Sequence, residues 1–227
     1  MPVHLSLEYQ DYSTPMFEFV TEPENMALIG LSVGYPVDAG RFATVARQQK
    51  NKKIHDVFPL PGVNAVSERF KEIVESYEPG VHQFFPVELF DKAGDRVPAN
   101  YYIFNCTVCV DAVLVEHSEV RWSQRRVEPY DPFPRVKHLD EEILSAQEIS
   151  EHHVWCGGLF ETNGIYVSDA LFDDLKRAKI KYFKEKPLEA IDVAWRPEDN
   201  IQPILDWVKQ NGLPTEGRVS RFLKNYV

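Results

Sequence analysis

The sequence predicts an α+β fold, mostly antiparallel sheet with a few packed helices. Three observations carry that expectation. Residues 64–89, NAVSERFKEIVESYEPGVHQFFPVEL, read as helix, tight turn and strand. The centre of the chain is dense in aromatic and β-branched runs. Helices and strands do not alternate regularly, as a parallel α/β sheet would require.

The helix comes first. Val66, Phe70, Ile73, Val74 and Tyr77 fall on one face at helical spacing, while Glu68, Lys71, Glu72 and Glu75 fall elsewhere. Ser67 or Asn64 can cap its first turn, and Glu68 sits where the helix dipole favours a carboxylate. Pro79-Gly80 ends it. Residues 81–89 follow as a strand, with Pro86 implying an edge or a bulge.

Before this unit, residues 4–9, 16–20 and 27–33 read as short strands divided by Thr14-Pro15, Pro23 and Gly30. Residues 1–40 carry Glu8, Asp11, Glu18, Glu22, Glu24 and Asp38 and no Lys or Arg. Residues 41–53 reverse the sign with Arg41, Arg47, Lys50, Lys52 and Lys53. The two segments are complementary neighbours or two separate solvated faces.

After it, residues 101–115 and 119–123 read as strands, with 91–95 a hairpin connector. Residues 130–134 hold two prolines and read as a loop. Residues 139–150 read as a helix, with Leu139, Ile143, Ala146 and Ile149 on one side. Residues 153–162 and 165–167 read as strands joined by the turn signal Asn163-Gly164. Ser168 caps a helix over 169–178. Pro197 opens a final helix whose stripe is Ile201, Ile204, Leu205 and Val208, with Trp207 flanking it and Gly212 past its end. Pro203 is tolerated early in that helix or shifts its start toward Gln202. The chain is expected to form one module, 1–227, with 1–60 and 139–227 as candidate lobes.

Composition narrows the function. At 227 residues, 44% hydrophobic and 12% aromatic, the chain is globular. The net charge of −10 argues against a general nucleic-acid binder and suits a basic protein partner. No window approaches the ~18 apolar residues of a membrane helix. MPVHLSLEYQDYS is not a secretory leader, so a cytoplasmic location is expected.

No catalytic signature is present: no G-x-S-x-G, no phosphate-cradling G-x-x-x-x-G-K, no G-x-G-x-x-G. Cys106 and Cys109 have C-x-x-C spacing, but within a strand they would face opposite sides, and no second pair exists. Three cysteines give no disulfide framework. His152, His153 and Cys156, with Glu148 or Glu151, are the nearest approach to a metal set, against the four ligands zinc needs. The expectation is no catalytic residue, no cofactor and no metal. The interaction candidates are Asp140, Glu141, Glu142, Glu148 and Glu151 as an acidic face, with Tyr130, Phe133 and Trp122 as anchors. For Asp140 and Glu141, a helix N-terminus alone would also account for the charge.

The Val-Ser-Glu-Arg-Phe helix, the Pro-Gly turn and the Phe-Phe-Pro-Val-Glu-Leu strand resemble a family of bacterial immunity proteins. These are encoded beside polymorphic or contact-dependent toxins and were first catalogued as a domain of unknown function. The resemblance continues through Tyr101-Tyr102-Ile103-Phe104-Asn105-Cys106, Asp111-Ala112, Gly158-Leu159-Phe160 and residues 165–171. It implies a non-enzymatic protein that binds and occludes a cognate antibacterial toxin, a nuclease being the toxin that suits an acidic inhibitor. It leaves the oligomeric state open. The competing expectations are a metal-dependent or damage-reversing enzyme, and an adaptor or chaperone for an effector.

Overall fold

A computed structural model describes residues 1–7, 14–23, 34–50, 52–124, 132–136, 142–158, 164–181 and 183–213; for 123–124 and 132–136 the backbone alone is described. In chain order the strands and helices are β1 (Val3–Leu7), β2 (Phe17–Phe19), β3 (Val45–Gln48), β4 (Val57–Leu60), β5 (Val63–Ser67), α1 (Glu68–Tyr77), β6 (Gln83–Phe90), β7 (Tyr101–Asn105), β8 (Val120–Gln124), β9 (Pro132–Val136), β10 (Ile143–Ser145), β11 (Val154–Trp155), β12 (Gly164–Val167), α2 (Asp169–Arg177), β13 (Phe183–Pro187), β14 (Glu189–Ile191), α3 (Pro197–Asn200) and α4 (Gln202–Gln210). The architecture is α+β, and most strand pairs are antiparallel.

Two sheets carry the fold. One has the order β2-β3-β6-β7-β5-β4, the other β11-β12-β1-β13. Alternation along β7 explains how the larger sheet is used. Tyr101 and Ile103 face a cluster with Phe58, Ala65 and Leu89, whereas Tyr102 and Phe104 face a second cluster with Phe70, Val74, Leu171 and Leu175. That second cluster also takes Val3, Leu5, Ile165 and Val167 from the smaller sheet, so it is the core shared by both sheets and by α1 and α2. The opposite face of the smaller sheet, with Trp155 and Tyr166, packs on Leu144, Leu188, Ile201, Ile204 and Val208. β1, from the first residues, lies between β12 and β13.

Both sequence-predicted helices of the shared core form. Ser67 is the cap of α1: its Oγ accepts from the Phe70 N–H at 3.3 Å and donates to Asp56 Oδ1 at 2.8 Å. Asn64 and Val66 instead belong to β5, because Pro61-Gly62 turns β4 back into β5, with Gly62 at φ 71°. Ser168 caps α2 by accepting from Leu171 N–H. Glu68, in the first turn of α1, accepts from Tyr102 Oη at 2.6 Å and Asn100 Nδ2 at 2.9 Å. Those hydrogen bonds hold its carboxyl below the usual range and push the Tyr102 phenol up to about 12. At Pro86 only β7 pairs with β6; β3 joins further on, at Glu88 to Phe90. The missing N–H therefore faces an open side, as an edge position requires.

Several expectations are corrected. Within the helix expected over 139–150, residues 142–150 are not helical: β10 pairs parallel with β14, and Leu144 is buried. Ile143 O accepts from Leu114 N–H, and Ala112 O accepts from Ser145 N–H, so tertiary partners replace the helical bonds. Pro132–Val136 is not a loop but a strand paired with β8, Trp122 opposite Pro134; a two-stranded ribbon tolerates prolines on its outer edge. The strand expected over 101–115 ends at Asn105. Of the strand expected over 153–162, the described residues 153–158 form only β11, and Gly164, expected in a turn, lies inside β12 opposite Ser6. The expected strand at 27–33, and residues 218–227, lie outside the described residues. The final helix starts at Pro197 and restarts at Gln202, with Pro203 in its first turn.

Candidate functional site

The segment 146–151 forms a surface turn after β10. Its Ala146 N–H donates to Ile191 O at 2.9 Å, and Gln147 Nε2 donates to Asp192 Oδ1 at 2.8 Å. Glu148 and Glu151 are exposed there. Glu142 is not part of this face. It is 1% exposed and accepts a short hydrogen bond from the Tyr166 hydroxyl. Its other oxygen is 3.7 Å from Lys186 Nζ. Its acidic neighbours Asp140 and Glu141 make the position read as surface; only its contacts with Tyr166 of β12 and Lys186 of β13 reveal it as interior. Asp140, Glu141 and Tyr130 lie outside the described residues. Phe133 is placed on β9 by its backbone alone, and Trp122 is half-buried against the cluster of Trp155 and Leu144.

Glu142 caps a polar rung that crosses the smaller sheet. Trp155 pairs with Tyr166, Tyr166 with His4, and His4 with Lys186. Trp155 and Tyr166 rings stack at 5.7 Å and 12°, and His4 lies 5.2 Å from Tyr166. His4 Nε2 and Trp155 Nε1 are buried without a hydrogen-bond partner among the described residues. A side chain on Gly164 would strike the Leu5 carbonyl and come 2.8 Å from His4 Nε2, so glycine there is a condition of the rung.

Burial and the Lys186 charge lower the His4 pKa from 6.5 to about 4. Below pH 6.5 the unfolded chain gains a proton that the folded chain refuses until about pH 4. Stability should therefore fall across that window, by roughly 3 kcal/mol in all at 1.36 kcal/mol per pH unit. Burial raises the Glu142 carboxyl, against the opposing Tyr166 and Lys186 interactions, which partly offsets the loss on acidification. Urea unfolding of the parent and of His4→Phe at pH 7 and pH 4.5 checks this. The parent should lose more stability than the variant, and parallel losses would refute the assignment.

A second polar chain ties the two sheets to an exposed patch. Glu78, just after α1, accepts from the N–H groups of His153 and Val154 at 2.8 and 3.1 Å and from His82 Nε2 at 2.6 Å. Thr107 N–H donates to His82 Nδ1, which leaves Nε2 to donate to Glu78. Burial raises the Glu78 carboxyl, but the three hydrogen bonds outweigh it and hold the pKa below the usual range. Nearby, Thr107 Oγ1 donates to Val81 O, and Asn105 Nδ2 donates to Tyr35 O and to Gln83 Oε1. Gln83 in turn clasps the Val37 backbone through both its amide atoms. Tyr35, 58% exposed, and Val81, 43% exposed, thus project from fixed backbone. Sequence reasoning missed both. Tyr35-Pro36 carries no periodic signal, and Val81 reads as the first residue of a strand.

β7 ends at Asn105, so Cys106 and Cys109 do not share a strand: the Cys106 and Cys156 thiols meet at the Val108 carbonyl, and Cys109 is exposed. His153 Nδ1 is bonded to Ser168 Oγ at 2.8 Å, and its ring lies 4.7 Å from Tyr77, away from any ligand role with Cys156. Among the described residues no group of three or more His, Cys, Asp or Glu side chains is arranged to hold a metal ion. No described helix is long and apolar enough to cross a membrane.

A family model described as Immunity protein family (Imm11) matches residues 16–188. The match runs from the residue before β2 to just past β13, taking in α1, α2 and the larger sheet; α3 and α4 lie beyond it. No curated protein matches the chain.

Proposed function

The chain belongs to the Imm11 immunity protein family, and we propose that it binds and occludes a cognate antibacterial toxin in the cytoplasm of the producing cell. Family membership over residues 16–188 is the observation that carries this reading. The mechanism is stoichiometric occlusion by one module, without catalysis, cofactor or metal. The toxin is a nuclease with a basic surface, the class that a chain of net charge −10 complements.

Two features support a contact surface. Glu148 and Glu151 supply exposed negative charge that steers a basic partner. Tyr35 and Val81 supply apolar anchors on backbone already fixed by Asn105 and Thr107, so little order is lost on binding.

The test is titration of a purified cognate toxin domain. Activity should vanish at a one-to-one ratio. Restoration at far lower ratios would indicate an enzyme that reverses damage, and an active toxin within a stable complex would indicate a chaperone. Within that complex, Glu148→Lys with Glu151→Lys should slow association, more at low salt than near physiological salt, where screening acts beyond about 8–10 Å. Tyr35→Ala should act on dissociation, weakening the complex by about 2 kcal/mol or more if Tyr35 is a central anchor. Unchanged rates in both variants would move the interface elsewhere.

A further inference from the structure

The chain has three cysteines, and all three gather at one point. Cys106 and Cys156 are buried and Cys109 is exposed. Cys106 Sγ and Cys156 Sγ both donate to Val108 O, at 3.5 and 3.4 Å, so the two thiols meet at one carbonyl. Cys109 and Cys156 are direct partners in a parallel bridge, closed by Cys156 N–H to Val108 O at 3.0 Å and Val110 N–H to Cys156 O at 2.9 Å. Neighbouring strands lie about 4.8 Å apart, inside the roughly 4.4–6.8 Å between Cα atoms that a disulfide spans.

Two glycines make room for the sulfurs. A Cβ on Gly34 would lie 3.1 Å from Cys156 Sγ and 3.4 Å from Cys109 Sγ, so both sulfurs border the same small space. A Cβ on Gly158 would come 2.8 Å from Cys109 Sγ. Gly34 also sits at φ 75° and donates its N–H to Cys106 O at 3.1 Å. The arrangement is closely fitted and concentrates every thiol of the chain beside the exposed Tyr35 loop.

We propose that Cys109 and Cys156 are a site of reversible oxidation by hydroperoxides, Cys109 receiving the oxidant and Cys156 resolving it to a disulfide. The Cys109 thiolate attacks the peroxide O–O bond, which breaks. Cys109 becomes a sulfenic acid, and the alcohol or water leaves. The Cys156 thiolate then attacks the Cys109 sulfur, the S–S bond forms, and hydroxide leaves and is protonated to water. Two electrons pass from the thiol pair to the peroxide, and a dithiol reductant reverses the step. Cys106 stays out of the exchange. It is sealed from solvent, and burial together with the neighbouring Cys156 pushes its thiol well up, which keeps it a thiol rather than a nucleophile.

Hydrogen peroxide applied to the purified full chain tests this. The intact mass should fall by two hydrogens, and alkylatable thiols under denaturing conditions should drop from three to one. Peptide mapping should join the Cys109 and Cys156 peptides, and dithiothreitol should restore all three thiols. Cys106→Ser should retain the cross-link. Cys109→Ser should abolish thiol loss at the same dose. Cys156→Ser should leave a sulfenic acid on Cys109 that dimedone captures. A Cys106–Cys156 cross-link, disulfides only between molecules, or three intact thiols in the parent would each overturn the assignment, whatever the folding of the variants.

Discussion

Replacing Phe70 with alanine is expected to lower the stability of the fold by about 3–5 kcal/mol. Phe70 is fully buried at the centre of the core shared by both sheets and both helices. Its ring meets Phe104 edge-on at 5.4 Å and lies 5.9 Å from Phe183, so truncation removes contacts to β7 and β13 together. For a chain of this size the melting temperature should drop by about 6–20 °C, taking 2–4 °C per kcal/mol. Ile73, one turn on, is only partly buried and should cost less than Phe70 when truncated. Glu72, exposed on the same helix, should change stability by no more than about 0.5 kcal/mol. Thermal unfolding of the three variants decides it. A parent-like melt for Phe70→Ala would mean that α1 presents a different face to the core.

Glu78→Ala should cost roughly 3–5 kcal/mol, because several buried donors lose their shared acceptor at about 1–3 kcal/mol each. The carboxylate is the shared acceptor for His82, His153 and Val154. Without it, two backbone N–H groups at the start of β11 and one imidazole lose their partner inside the protein. The pH dependence follows from the depressed pKa. The stabilisation is complete above the unfolded value of 4.5 and is lost as pH falls through the lower folded value. Chemical unfolding from pH 7 to 3 should show an acid limb that Glu78→Gln flattens. It begins near pH 4.5, where most of the His4 loss is already complete, so the two are separable. A cost under about 1 kcal/mol for Glu78→Ala would mean that water replaces the carboxylate.

Much of the local structure was legible in the sequence. Ser67 and Ser168 announce α1 and α2 because a cap needs only a side-chain oxygen two or three residues ahead of an amphipathic run. Phe70, Val74, Leu171 and Leu175 declare the buried faces by their spacing alone. Pro197 and Gly212 bracket the last helices by backbone chemistry. The family resemblance carried by residues 64–89 falls inside the matched span 16–188.

What the sequence determined by itself is therefore local: α+β class, two capped helices, and a charge balance of −10. The tertiary structure decided everything that depends on residues far apart in the chain. Residues 139–150 have helical spacing, yet β14 offers a parallel partner some 46 positions away, and the backbone of β10 takes it. Glu142 reads as surface charge, yet Tyr166 and Lys186 make it interior. Cys106 and Cys109 would diverge in a strand, yet Cys156 and the space left by Gly34 and Gly158 bring the three sulfurs to one place. Periodicity and caps report energies within a turn or a strand. Long-range pairing and desolvation exceed those energies once the chain closes, and no local pattern encodes which distant partner will arrive.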